Sequence, residues 1–173
     1  MSPESPGSPI RRNSTDAALV IGITAAGIAA SLLLASLRPW RAHTYLGILS
    51  FLLLIAVVAV AAARRYRIPV QAGAGTAARL HNILSISFIG LAVSTVALGI
   101  ISDIPRDFVH LSDPHGLLAI AIAVIAVLQG LSLHAIRGPG PRLFHRGAGY
   151  LLFLLFILQI LLGYGIIRFP GTG

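Results

Sequence analysis

Histidine is the residue of this chain whose type and spacing could do chemistry. Of six histidines, four recur at one relative position: His43, His81, His115 and His145 each stand at the start of a long apolar stretch. A lone His near a helix end is ordinarily an interfacial residue or a cap. Four in succession are harder to explain that way, because an ionisable group within a membrane span is costly and usually functional. If the stretches are antiparallel helices, His43 and His115 lie toward one membrane face and His81 and His145 toward the other. Two imidazoles facing each other across a bundle can fill both axial positions of a haem iron. The pattern therefore implies two haem b groups, one near each face, with these four histidines as ligands. There are no cysteines, which excludes disulfides, thiolate metal sites, iron–sulfur clusters and c-type haem attachment.

Two further spacings accompany the histidines. Eighteen residues make five helical turns and about 27 Å of rise, so position +18 shares the histidine's face near the other end of its helix. From His43, His81 and His145 that position holds Ala61, Gly99 and Gly163, and from His115 it holds Leu133. Small residues there would leave room for a macrocycle held by the other helix pair. They would equally serve close helix packing. The segments HGLLAIAIAVIAVLQG and HRGAGYLLFLLFILQI also repeat His followed by Gln at +14, which places Gln129 and Gln159. Ser94 and Thr95 stand at the matching level of the stretch that begins near His81. Gln129, Gln159 and Thr95 are candidates to bond a haem propionate or a ligand imidazole; an interhelical hydrogen bond is the competing reading. His134, at the far end of its stretch, is a substitute ligand candidate, and His110 falls in a loop with Arg106, Asp107 and Asp113.

The elements that must position these residues are membrane spans. Hydrophobic residues make up 56% of the 173 and charged residues only 10%, against about 25% charged in soluble domains. A crossing helix needs about 20 mostly apolar residues. Five stretches qualify, at 17–37, 41–63, 79–102, 115–136 and 145–167, and the connections between them carry proline and charge. The fold class expected is an all-α membrane protein of five transmembrane helices with a four-helix haem-binding bundle. Residues 1–16, rich in Ser and Pro, read as a disordered segment. Residues 17–37 read as a peripheral helix, retained rather than cleaved, and residues 40–168 as the core.

All thirteen basic residues are arginine, and the net charge is +8. Arginines at helix ends that hold topology and meet anionic lipid explain this better than nucleic acid does. With alternating crossings, nine arginines fall on the side of the N-terminus and four on the other. The N-terminus is therefore expected in the cytoplasm of a multi-pass cell-membrane protein.

The four ligand-bearing segments resemble the core of the cytochrome b561 family, transmembrane di-haem cytochromes linked to ascorbate. AHTYLGILSFLLLIAVVAVAAARRYR is similar to that family's first ligand helix, which begins near a His and ends in a Tyr-Arg pair. ARLHNILSISFIGLAVSTVALGI resembles its second, with a basic residue shortly before the His. SDPHGLLAIAIAVIAVLQG resembles its third, with Gln fourteen residues after the His, and FHRGAGYLLFLLFILQILLGY its fourth, with Gly149 four residues after the His. The resemblance spans residues 40–168. It implies pairing of His43 with His115 and of His81 with His145, and a donor site in which Arg67 and Arg79 hold an anion. The chain departs from the family in having five helices where six are usual, Leu117 where an outer aromatic is usual, and no inner lysines.

The function expected on these grounds is a di-haem membrane cytochrome, a transmembrane oxidoreductase carrying single electrons across the bilayer. A small-molecule or quinol donor would meet the cytoplasmic face. An acceptor such as ferric iron, or a redox partner protein, would meet the outer face. A homodimer is a further candidate assembly. Two alternatives stand beside it: a haem-binding anchor or quinone-reactive subunit of a larger redox complex, and a haem-free structural membrane protein.

Overall fold

The computed structural model describes residues 14–37, 42–66, 74–103, 113–135 and 139–166, and these form five α-helices. They are α1 (Ser14–Leu37), α2 (Ala42–Arg65), α3 (Ala74–Asp103), α4 (Pro114–Ala135) and α5 (Pro139–Gly163). Each contains a stretch long and apolar enough to cross a membrane. Apolar residues occur all round these helices, as expected of helices surrounded by lipid and by one another. Leu33 and Leu143, each 71% exposed, show that large side chains point outward from the bundle.

α2 packs along α3 and α4 along α5; α3 joins the pairs by touching α4, α1 lies on α3 and α2, and α2 reaches α5 mainly through long side chains. Small residues allow the close approaches, the usual device where lipid removes any hydrophobic drive between helices. At Gly27 of α1 an added Cβ would stand 2.8 Å from Leu91 Cδ2 and 3.1 Å from Leu49 Cδ2. At Gly90 of α3 it would stand 3.0 Å from Thr24 Cγ2. Ser50 of α2 is fully buried; its hydroxyl donates to the Leu46 carbonyl at 2.8 Å and lies 3.4 Å from Thr95 Oγ1 of α3. The centre holds Leu54, Phe88, Ala92, Ile122, Ala126, Leu152 and Phe156. Phe51 stacks on Phe153 and Phe156 with ring centroids about 6 Å apart, and Phe88 tilts against Phe156 at 5.8 Å.

The helix ends differ from expectation for local reasons. α5 starts at Pro139, six residues ahead of the expected boundary, so Pro139 and Pro141 lie inside it. Proline breaks a helix only where an amide is needed, and first-turn amides have no intrahelical partner. α4 uses the same allowance at Pro114, and the Asp113 carboxylate caps it by accepting from the Gly116 amide at 2.7 Å. α3 starts at Ala74, five residues early, through an Ala-rich turn of high helix propensity. α5 stops at Gly163 rather than 167. Gly165 adopts φ 66°, its amide donates to Leu162 O at 2.9 Å, and Ile166 N donates to Leu161 O at 2.9 Å. That is a Schellman cap, whose left-handed position favours glycine. α1 begins at Ser14, so the last three residues of the segment expected to be disordered are helical; residues 1–13 lie outside the described residues.

Candidate functional site

Four part-buried polar side chains, His115, Gln129, His145 and Gln159, stand where α4 and α5 run antiparallel. Gln and His stand fourteen residues apart in both helices. Equal spacing in opposite directions brings each glutamine level with the other helix's histidine. Gln159 Nε2 donates to the His115 carbonyl at 3.1 Å and lies 3.2 Å from His115 Nε2. At the other end Gln129 Nε2 donates to the His145 carbonyl at 3.0 Å. The two glutamines thus clamp the hairpin at both ends. For the Gln159 amide to bond the ring as well, His115 Nε2 must accept, which places the ring proton on Nδ1. Glycines make room for both clamps. A Cβ at Gly163 would meet His115 Cε1 at 2.9 Å, and one at Gly149 would meet Gln129 Nε2 at 3.3 Å.

The histidines line two cavities separated by the aromatic centre. A cavity of about 130 Å³ lies where α2 and α4 begin, and is lined by His43, His115, Thr95, Gln159 and Gly163 among others. A cavity of about 920 Å³ lies at the opposite end, lined by His81, His145, Gln129 and Ala61 among others. Phe156 borders the first and Phe88 the second. The rings of His81 and His145 meet edge to face with centroids 6.2 Å apart. The Nδ1 atoms of His81, His115 and His145 are buried without a hydrogen-bond partner.

Thr95 and Ala61 stand with the histidines in these cavities, and the remaining sequence candidates lie apart. Thr95 Oγ1 donates back to the Leu91 carbonyl at 2.8 Å, an in-helix bond of the kind β-hydroxyl side chains make in apolar surroundings. Arg79 pairs with Asp16, tying the start of α3 to the start of α1, with side chains 45% and 34% exposed. A Cβ at Gly99 would meet nothing within 4 Å. Arg67 and His110, and the side chains of His134 and Leu133, lie outside the described residues.

The expectation of a di-haem cytochrome is corrected. Among the described residues no group of three or more His, Cys, Asp or Glu side chains gathers to hold a metal ion. The two haem b groups, the iron and metal-binding roles, and the transmembrane oxidoreductase and electron-transport reading built on them fall with that finding. Local packing gives a physical reason at one end. The ring of His115 is seated against Gly163 with Nε2 facing the Gln159 amide. Gly163, expected to leave room for a macrocycle, leaves room for this imidazole instead. Gln129 and Gln159 are joined to histidine backbone and ring as helix clamps.

Several interior and border residues carry no clear signal in the sequence. Gly149 carried a signal only as part of a motif, not as the seat of Gln129. Arg65 and Tyr150, whose Nη1 and hydroxyl lie 3.5 Å apart, are separated by 85 positions, and no spacing rule connects them.

No protein-family model, no curated protein and no solved structure matches this chain. The likeness to cytochrome b561 therefore has no match behind it, and the statement that stands is the coarser one, a five-helix, mostly hydrophobic, membrane-spanning bundle.

Proposed function

We propose that this chain is a haem-free, multi-pass structural membrane protein in which the recurring histidines and glutamines lock helices together. The reciprocal clamp carries the reading: Gln159 reaches across to His115 and Gln129 to His145, one at each end of the α4–α5 hairpin. In hydrocarbon every backbone group must be satisfied within the protein, and polar side chains gain by bonding across helices. Paired polar contacts between helices are a general means of fixing which helices associate and in what register. The arginine asymmetry supports a cytoplasmic N-terminus; a reporter fused between α2 and α3 should then report the cytoplasm and one after Gly173 the outside, and the reverse pattern would refute it.

The visible spectrum tests the central reading. The protein, purified in mild detergent from cells supplied with haem precursor and reduced with dithionite, should show no sharp visible bands. Haem absorbance in stoichiometric amount, lost on His81→Ala substitution, would overturn the proposal.

A further inference from the structure

The clamps leave the larger cavity unexplained. Its volume of about 920 Å³ lies at the upper end of the range of roughly 300–1,000 Å³ typical of pockets that bury a small ligand. It sits at the end of the bundle where α2 and α4 finish and α3 and α5 begin. Its walls are mainly apolar, with Val57 and Val58 from α2 and Ile86 and Ile89 from α3.

The polar lining is uneven in charge. Arg65 and Arg146 both border the cavity. Among the described residues the lining has one acidic side chain, Asp16, which is paired with Arg79. The border therefore presents net positive charge above an apolar interior. Two tyrosines accompany it: Arg65 Nη1 lies 3.5 Å from the Tyr150 hydroxyl, and its guanidinium stands 5.8 Å from the centre of the Tyr66 ring. Tyrosine at such a level is typical of the membrane–water interface, where one end of the ring is wet and the other apolar. His81 and His145, with Asn82, Ser85 and Gln129, supply the uncharged polar groups of the lining.

We propose that this cavity binds an anionic phospholipid from the surrounding leaflet. The phosphate is held between Arg65 and Arg146, which match it in charge and in hydrogen-bonding geometry. One acyl chain enters the cavity along Val57, Val58, Ile86 and Ile89, and the imidazoles face the ester region between head and chain. The arginine-rich side is also the side expected to meet the anionic cytoplasmic leaflet. The inference rests on the haem-free reading, since a macrocycle would fill the same space.

The test uses the full chain in phosphatidylcholine bilayers, with phosphatidylglycerol spin-labelled near the end of one acyl chain as probe. Identically labelled phosphatidylcholine reports lipid that merely surrounds the protein. The expected result is a motionally restricted, saturable population of phosphatidylglycerol larger than that of labelled phosphatidylcholine. Arg65→Gln and Arg146→Gln should each weaken it roughly fivefold. Ala62→Phe and, independently, Ser85→Leu should remove it by filling the cavity while both arginines remain. Equal restriction of the two lipids, or a phosphatidylglycerol excess that survives both filling variants, overturns the proposal; the second outcome would mean adsorption at the arginines alone. The visible spectrum of the same preparation separates the readings. Colour removes the haem-free reading, whereas colourless protein without selectivity removes this one.

Discussion

The clamp between Gln159 and His115 makes a quantitative prediction that a single substitution would hide. Gln159→Leu removes the amide contacts to His115 Nε2 and to the His115 carbonyl, at 3.2 and 3.1 Å. Interhelical hydrogen bonds in membranes average about 0.6 kcal/mol and reach about 1.7 at most, so the two together are worth roughly 1 kcal/mol. The same substitution also removes Gln159 Oε1, which is buried without a partner. A buried orphan of that kind costs about 1–3 kcal/mol. The effects oppose each other, and the net change from Gln159→Leu should lie between about zero and 2 kcal/mol in the stabilising direction. A double-mutant cycle with His115→Ala isolates the ring contact, because the His115 carbonyl contact is available in both backgrounds. The expected coupling is about 0.6 kcal/mol, with a ceiling of about 1.7. It would be read from reversible unfolding in mixed micelles of rising dodecyl sulfate content. The control pairs Gln129→Leu with His115→Ala, at opposite ends of α4, where additivity within roughly 0.3–0.5 kcal/mol is expected. A Gln159–His115 coupling no larger than that control would refute the contact and the tautomer derived from it.

Gly163→Ala places a Cβ 2.9 Å from the His115 ring. It should destabilise by about 1–3 kcal/mol from overpacking, less up to about 1 kcal/mol of helix propensity. In a His115→Ala background the same change should stabilise, checked in the same micelle assay. Gly27→Leu drives a branched side chain into Leu91 and Leu49 and should lift α1 from α2 and α3. The measurement is the yield of a short bismaleimide crosslink between cysteines introduced at Asp16 and Arg79 in the otherwise cysteine-free chain, which should fall sharply.

Five crossings were legible in the sequence because they rest on composition and length, which a bilayer converts directly into helix. Their centres held, and the ends of α2 and α4 fell within two residues of expectation, while α3 and α5 began five and six residues early. Pro139 and Pro141 read as breakers, yet in a first turn there is no bond for proline to break. Conversely, the apolar stretch running to 167 gave no warning of the cap, because a Gly at 165 becomes left-handed only when the chain turns there.

The histidines and glutamines show the deeper division. Sequence alone determined that His and Gln recur at a shared spacing of fourteen on two neighbouring apolar helices, and hence that each pair shares a face. It could not determine what those faces meet. A ligand imidazole beside a cofactor and an imidazole bonded to a facing amide have the same one-dimensional pattern. Only the antiparallel packing of α4 on α5 set Gln159 level with His115 and Gln129 level with His145. Only the same packing made Gly163 the seat of a ring. Likewise, Arg65, Arg146 and Tyr150 come to border one cavity because α2 ends where α5 begins, at one side of the bundle. The reason is general: periodicity along a helix fixes directions within that helix, whereas a site is made of directions from several helices that meet, and their register is set by packing.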